Sequence, residues 1–353
     1  MYIVTNREIY ENRRGFKVFG KQPNSLGPHE LRLVEITETR SGTRVRVVAD
    51  KLTPEEKKKL NLPAGKDAYS AELIARRIFN RARRSKKNLL LFVHGFNNNV
   101  ESVVERALRL QKRFDVEVLA FSWPANGGGA HGALSYKSDK KDARASIGAL
   151  DRVLEKIGEY LHRLQEEEAQ KVRDSAAKRF EGDAETRDEF LAKALAKQCP
   201  VRVSLMLHSM GNYLFKQLLK SSLYVGDELL FDNVVMVAAD ANNENHQSWV
   251  DRIQFRNRLY ITINENDSAL KLSRAKLGSQ QLARLGHFPY RLHSDHAVYV
   301  DFSNARSVGD SHAYFEGSPL RNAAVKKFFR QALNGEVAEK ELEYDVSRNL
   351  HAI

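Results

Sequence analysis

The chain has little cysteine and no long hydrophobic segment. Cys199 is the only cysteine among its 353 residues, so no disulfide can form within the chain, as is usual in the reducing cytoplasm. No apolar run reaches the roughly 18 residues that a membrane-spanning helix needs, and the first residues lack the basic-then-apolar order of a signal peptide. The sequence therefore predicts a cytoplasmic protein without a transmembrane segment, in which Cys199 is an inert core thiol.

Charge of one sign is in excess. The chain carries 57 Lys and Arg against 45 Asp and Glu, for a net charge of +12, which favours anionic partners such as nucleic acid, phospholipid head groups or acidic substrates. However, aromatic residues are not interleaved with the basic stretch 76–87 as base stacking requires, and no zinc-finger or P-loop spacing occurs. We therefore expect that stretch to be a solvated helix face, with an anionic partner as the alternative.

The chain is long enough for one large domain, which we expect to span 1–335. Its hydrophobic content of 42% supports a sizeable core. Residues 1–67 contain short apolar runs between turn signals, which predicts a β-rich part. From Ser70 onward, strands and helices alternate as in a doubly wound, mostly parallel sheet. The sequence thus predicts an α/β fold with an N-terminal antiparallel β extension and a peripheral polar tail over 336–353.

Local signals give several element boundaries. We expect a strand at 16–19, a helix capped by Ser70, one long helix over 136–164 and a closing helix that begins at Ser318-Pro319. The charged stretch 165–198 is helix-prone and is predicted to be a solvated insertion or a cap over a site.

One serine lies where a buried strand turns sharply into a helix. The apolar run 201–207 ends in His208-Ser209-Met210-Gly211, and leucines at helical spacing follow at once. Three other Ser-x-Gly triplets exist, but only Ser209 follows a buried strand and opens a helix. Ser209 is therefore a candidate nucleophile, with a structural turn and a capping serine as the alternative. Leu207 stands where glycine is usual in such a turn.

A serine nucleophile needs a base and a carboxylate that orients the base. In α/β-hydrolases these groups follow in the order Ser, Asp or Glu, His, each after a strand, at the carboxyl ends where sites gather. Asp267 and His312 meet both conditions. Asp240 also follows a strand and remains the alternative acid. His293 and His296 compete for the role of base, but they precede the last strand.

Acyl transfer also needs two backbone N–H donors aimed at the developing oxyanion. The N–H of Met210, directly after the candidate nucleophile, would supply one. The N–H of Phe96 would supply the other, because His94-Gly95-Phe96 follows a buried strand and Gly95 lets the backbone approach.

Further residues are candidates for the pocket. Phe96, Trp123 and the loop 276–292 are expected to wall it, and His94 and Asp240 to line it. The polar cluster 293–296 matches no strong metal-ligand pattern, so neither a metal nor another cofactor is expected.

These motifs together resemble the DUF900 family of bacterial α/β-hydrolases. The similarity rests on segments spread over most of 1–330: Thr5-Asn6-Arg7, Val93-His94-Gly95-Phe96-Asn97, Phe121-Ser122-Trp123-Pro124, His208-Ser209-Met210-Gly211-Asn212, Asp267-Ser268-Ala269-Leu270 and Ser311-His312-Ala313-Tyr314-Phe315. The resemblance implies an α/β-hydrolase fold and a serine triad, and it implies little about the substrate.

The sequence predicts a serine hydrolase that cleaves a carboxylic ester, including lipid esters. Ser209 would attack, His312 would carry the proton, Asp267 would orient His312, and the N–H groups of Phe96 and Met210 would hold the oxyanion. Two alternatives stay open. One is a degenerate hydrolase that serves as a binding or regulatory module, and the other is a basic surface that docks on nucleic acid or anionic membrane.

Overall fold

The computed structural model describes residues 1–59, 68–125, 132–197, 201–222, 224, 229–275 and 282–353. Cys199 and part of the 276–292 loop, for which the sequence makes predictions, lie outside these ranges. No helix within them is both long and apolar enough to cross a membrane.

Strands and helices alternate through most of the described chain. The strands are β1 (Tyr2–Thr5), β2 (Arg7–Ile9), β3 (Phe19–Pro23), β4 (Arg32–Thr39), β5 (Gly42–Val47), β6 (Asn88–Val93), β7 (Val116–Ser122), β8 (Val203–His208), β9 (Asn233–Val237), β10 (Arg258–Ile263), β11 (Ala297–Asp301), β12 (Glu343–Asp345) and β13 (Leu350–Ala352). The α-helices are α1 (Pro54–Lys59), α2 (Ser70–Ser85), α3 (Val100–Phe114), α4 (Gly132–Ala145), α5 (Ile147–Arg179), α6 (Ala184–Lys197), α7 (Met210–Leu219), α8 (Gln247–Val250), α9 (Ser268–Ala275) and α10 (Ala323–Leu333).

One large sheet organises the fold. Its strand order is β12-β13-β11-β10-β9-β8-β6-β7-β1-β4-β5, and the neighbours from β13 to β1 are parallel. β4, β5 and β12 are antiparallel additions at the two edges. The chain therefore has the α/β fold that the sequence predicts. Five neighbouring parallel strands have their carboxyl ends at the same edge of the sheet: β6, β8, β9, β10 and β11.

Both faces of the sheet are covered by helices, as continuous apolar strands require. On β6, Leu91 and Val93 point into one core with α5 and α7. Leu90 and Phe92 point into the opposite core with α3 and α10. The alternation follows from the two-residue period of a strand.

The two ends of the chain differ from the sequence-based expectations. Residues Gly15–Val18 form a 3₁₀ helix that leads into β3, where a strand over 16–19 was expected. The tail 336–353 is not peripheral, because β13 pairs in parallel with β11 and Leu350 is buried. The polar sequence of this tail did not indicate the short edge hairpin that extends the sheet.

Helix boundaries also differ in three places. The helix expected over 136–164 is divided at Ser146, whose hydroxyl donates to Asp142 O at 2.8 Å and accepts from Asn6 Nδ2 at 2.9 Å. Ser70 is the first residue of α2, so the N-cap position is held by Tyr69, which makes no side-chain capping hydrogen bond. The closing helix α10 begins after Asn322, whose side chain accepts from Ala324 N, while Ser318-Pro319 open a separate 3₁₀ turn.

The stretch 165–198 forms the second half of α5 and all of α6. Arg76 of α2 pairs with Glu167 of α5, and Arg83 pairs with Glu168. The basic stretch 76–87 is therefore largely a solvated, ion-paired helix face, and such exposed pairs contribute little to stability.

Candidate functional site

Ser209 lies at a strained turn between β8 and α7. Its backbone has φ 54° and ψ −121°, a conformation that L-residues rarely adopt and that costs of the order of 1–3 kcal/mol. The strand ends at His208 and the helix begins at Met210. A serine held in this way is presented at the edge of the sheet and not within either element.

Two glycines let the backbone pass close to this turn. A Cβ on Gly211 would lie 2.8 Å from Val93 O and 2.9 Å from His94 O. A Cβ on Gly95 would lie 2.6 Å from Ser209 Cβ. Leu207, where a glycine is usual, is fully buried in the core beneath α7, so the turn forms with a leucine at that position.

Asn212 fastens the same turn from within α7. Its buried Nδ2 donates to Leu207 O at 3.0 Å and to Ser209 O at 3.1 Å. The backbone N–H of Ser209 donates to Val237 O at 3.0 Å. These bonds supply partners for backbone groups that the sharp turn takes out of the regular ladder.

Asp267 and His312 are joined, although they lie on different loops. His312 Nδ1 is 2.7 Å from Asp267 Oδ2, and Asp267 Oδ1 accepts from Leu270 N at 2.9 Å. Asp267 is fully buried, whereas the His312 side chain keeps 25% of its exposure. Because a carboxylate only accepts, His312 Nδ1 is the donor and its Nε2 is left as the free base. The contacts of the described residues include no hydrogen bond between Ser209 Oγ and the His312 ring.

Asp240, the alternative acid, has other partners. Tyr136 Oη donates to its Oδ2 at 2.9 Å and Ser273 Oγ to its Oδ1 at 2.7 Å. Arg284 Nε lies 3.2 Å from Oδ1 as an ion pair, with an N–H that is not aligned for a hydrogen bond. Asp240 lies next to the turn, since its N–H donates to Ser209 O at 3.2 Å, but no histidine among the described residues is its partner.

The loop that carries His312 is held at several points. Asn264 Nδ2 donates to Gly309 O and to Ser311 O, each at 3.0 Å. The buried Tyr314 hydroxyl contacts Thr262 Oγ1 at 2.6 Å and accepts from Ala238 N at 3.2 Å. These bonds fix the loop to the ends of β9 and β10.

His208, directly before Ser209, contacts the same loop. Its Nε2 is 3.1 Å from His312 O, and the two imidazole rings are 4.9 Å apart. Since a carbonyl only accepts, His208 Nε2 carries the proton. Burial, and next the neighbouring His312, hold the pKa of His208 well below its ordinary value, so the ring is neutral at pH 7.

The Phe96 loop is braced against the His312 loop by a charged link. Asn98 Nδ2 donates to Phe96 O at 2.7 Å, and Asn98 Oδ1 accepts from Arg106 at 3.2 Å. Arg106 in turn donates twice to Glu316 Oε1, at 2.8 and 3.0 Å. No local sequence signal connects Arg106 with Glu316, 210 residues later in the chain, so the sequence did not reveal this link.

His94 and Trp123 support the Phe96 loop from beneath. Their rings stack with centroids 5.3 Å apart, Trp123 Nε1 donates to His94 O at 2.9 Å, and both side chains are fully buried. Burial, and to a lesser extent the Arg7 guanidinium, lower the pKa of His94 to about 3. These two residues, which were expected to line the pocket, are therefore buried beneath the Phe96 loop and support it.

The N-terminal Thr5-Asn6-Arg7 segment contacts the backbone after β6 and at the end of β7. Thr5 Oγ1 donates to Ser122 O at 2.5 Å, and Arg7 donates to Ala125 O at 3.0 Å and to Asn98 O at 3.4 Å. Burial lowers the pKa of Arg7 to about 10, which leaves it charged. The segment thus ties the loop after β7 to the loop after β6.

The two histidines that compete with His312 for the role of base lie away from this edge. His293 and His296 precede β11, at the opposite end of the sheet, and His246 is buried against Tyr299 with Nε2 2.5 Å from the hydroxyl. Over the described ranges, no group of three or more His, Cys, Asp or Glu side chains could hold a metal ion. A cavity of about 800 Å³ lies between α2 and α5, and its lining includes no residue of the Ser209 turn.

The position of Met210 gives the turn a further property. It is the first residue of α7, so its N–H is one of the amides that have no acceptor within the helix. These amides and the helix dipole make the start of α7 favourable for a negative charge. Gly95 brings the Phe96 loop against the same point, as its 2.6 Å approach to Ser209 Cβ indicates.

Comparison with known proteins agrees with this architecture. The profile of the family described as "Alpha/beta hydrolase of unknown function (DUF900)" matches residues 71–166 and 183–319, more than half of the chain. No curated protein and no solved structure matches the chain. The family match covers the strands and loops that carry Phe96, Ser209, Asp267 and His312. The chain belongs to the DUF900 family of α/β-hydrolases.

Proposed function

We propose that the protein is a serine hydrolase that cleaves carboxylic esters. The observation that carries the proposal is the 2.7 Å contact between His312 Nδ1 and Asp267 Oδ2, on loops beside a serine with φ 54°. A buried carboxylate that fixes the tautomer of a partly exposed histidine leaves Nε2 free to accept a proton.

The reaction proceeds in two balanced steps. Ser209 Oγ bonds to the ester carbonyl carbon while its proton passes to His312 Nε2, and the N–H groups of Met210 and Phe96 stabilise the oxyanion. The carbon–oxygen bond to the alcohol then breaks, and His312 returns the proton to the departing alcohol. In the second step water attacks the acyl group with His312 as base, which releases the acid and restores Ser209. Contacts between nucleophile and base are often loose without substrate and tighten in the complex.

A fluorophosphonate probe tests this proposal, because it reacts with an activated serine. We expect labelling of the wild type and none of Ser209→Ala, with Ser25→Ala labelled like the wild type as a matched control. A folded wild type that resists the probe would contradict the proposal. It would instead favour a binding module built on a hydrolase fold.

A further inference from the structure

Three cationic side chains gather beside the Ser209 turn. Lys216 lies on α7, Lys140 on α4 and Arg284 after α9; together they are the cationic cluster. Burial first, and then the positive charges of Lys220, Arg284 and Lys140, lower the pKa of Lys216 to about 8. His246, at the start of α8, is neutral at pH 7, since burial lowers its pKa.

Lys216 is half-buried without a counter-charge. Among the described residues it has no hydrogen bond and no ion pair, and its ammonium lies 5.4 Å from the centre of the Trp249 ring. The indole Nε1 of Trp249 is also buried and has no acceptor within that part of the chain. Burying an unpaired charge is unfavourable unless a ligand supplies the opposite charge. Arg76 and Arg83 of α2 are different, since carboxylates of α5 pair with them.

The position of Lys216 relates the cluster to the nucleophile. Lys216 follows Ser209 by seven residues, which is two helical turns or about 10 Å along the axis and nearly the same face of α7. Because helical side chains generally lean toward the N-terminus of their helix, we expect the Lys216 side chain to extend toward the Ser209 end.

Aromatic rings connect the cluster with the Phe96 loop. Lys140 Nζ lies 5.2 Å from the centre of the Tyr136 ring and 5.0 Å from that of Tyr213. The Tyr136 ring in turn contacts Phe96 edge to face at 5.5 Å. Arg284 is engaged by Asp240, so its charge is already balanced and Lys216 is the group that lacks an anion.

We propose that Lys216, with Lys140 beside it, binds a carboxylate or phosphate group on the ester substrate, a short distance from the scissile carbonyl. This inference rests on the proposed esterase function and specifies its substrate class. The Tyr136 and Tyr213 rings line the path between the anion and the reacting carbonyl. A neutral ester of the same shape leaves the Lys216 ammonium unpaired, and its kcat/KM is therefore lower.

Matched pairs of esters test the proposal. One pair is 4-nitrophenyl hydrogen succinate and its neutral methyl ester, with the charge on the acyl side. The other is acetylglycerol phosphate and monoacetylglycerol, with the charge on the alcohol side. We expect the wild type to prefer the anionic member of one pair by about 10- to 100-fold, the value of one charged hydrogen bond. The preferred pair tells which side of the ester faces Lys216.

Variants assign the preference to Lys216. Lys216→Met should remove most of the anionic-to-neutral ratio, and Lys216→Glu should invert it. Lys220→Met, at an exposed lysine at the end of the same helix, should keep the ratio of the wild type. The ratio should fall as the pH rises from 7 to 9 in the wild type and stay constant in Lys216→Arg, because arginine keeps its charge. Equal ratios in the wild type and Lys216→Met would overturn the inference.

The failure of this inference is distinct from failure of the proposed function. Fluorophosphonate labelling with no anionic preference leaves the esterase intact and refutes the anion site. Binding without turnover is measured by calorimetry of monomethyl succinate and dimethyl succinate with Ser209→Ala. Selective binding of monomethyl succinate that Lys216→Met abolishes supports the anion site even if Ser209 proves unreactive, and binding that is unchanged by Lys216→Met refutes it.

Discussion

The Asp267 carboxylate lies 2.7 Å from His312 Nδ1, while Asp240, which also follows a strand, is held by Tyr136, Ser273 and Arg284. We therefore expect substitutions of the two acids to have different effects on activity and stability. Asp267→Asn should lower kcat by about 10³- to 10⁴-fold, because an amide favours the wrong imidazole tautomer. Ester hydrolysis and the fraction of folded protein, measured by circular dichroism, check this expectation.

Asp240→Asn is the matched control for that experiment. It leaves Arg284 buried without its full counter-charge, so its main effect should be a loss of a few kcal/mol of stability, with a smaller change in kcat for the protein that stays folded. A larger loss of kcat in Asp240→Asn than in Asp267→Asn would reverse the assignment of the acid.

Gly95 gives a second prediction. A Cβ there would lie 2.6 Å from Ser209 Cβ, so Gly95→Ala must push the Phe96 loop away from the serine. A displacement near 1 Å at a reacting site costs about 100-fold in rate, and we expect a loss of that size in kcat/KM. Gly15→Ala is the control, because a Cβ at Gly15 meets nothing within 4 Å; its φ of +59° strains alanine, so this variant should lose some stability and keep the kcat/KM of the wild type. Wild-type activity in Gly95→Ala would show that the close approach has no role.

His208 is expected to act as a positioning residue through its donation to His312 O. His208→Leu should lower kcat about tenfold, the value of one hydrogen bond to a charged or critical group, with little change in KM. His208→Gln, which restores an N–H donor at a similar position, should recover kcat. Recovery of stability alone would indicate a purely structural role.

Acid should destabilise the fold through its buried histidines. The folded pKa of His94 is about 3 against 6.5 for an ordinary histidine, so between these values the unfolded chain binds a proton that the folded chain excludes. The stability that His94 contributes should therefore be constant above pH 6.5 and fall below it, by up to about 1.4 kcal/mol per pH unit for this one group. Urea unfolding at pH 7, 6 and 5 measures the slope.

His94→Gln isolates the contribution of that residue. Four other histidines also have pKa values that burial lowers: His208, His246, His287 and His351. The variant should therefore keep part of the slope of unfolding free energy against pH and lose the part that corresponds to about one proton. An unchanged slope in His94→Gln would mean that His94 is already protonated when it is folded or stays buried on unfolding.

The fold and the positions of the site loops could be predicted because they follow from chain order. A parallel sheet brings the ends of its strands to one edge, so residues that follow β6, β8, β10 and β11 had to gather there. The buried run 88–93 and the turn at Ser209 carry that information locally. The strand over 88–93 and the turn at Ser209 were predicted correctly in this way, whereas the short-range predictions of a strand over 16–19 and of one helix over 136–164 were wrong.

The residues that complete the surroundings of the site depend on long-range contacts. Asp240 finds partners on α4, on α9 and after α9, and nothing near Asp240 in the chain signals Tyr136 or Arg284. The division at Ser146 depends on Asn6, 140 residues earlier. Local periodicity continues through 136–164, and only tertiary hydrogen bonds reveal the break.

The backbone of Ser209 also bears on how the protein can evolve. Glycine adopts φ near 54° without the penalty that serine carries, so selection for folding alone would place glycine at this position. The chain nevertheless has a serine hydroxyl at this strained backbone conformation. Serine at this position therefore lowers stability while it supplies the hydroxyl that the proposed ester hydrolysis needs. A lineage that no longer needs that reaction would gain stability by replacing the serine.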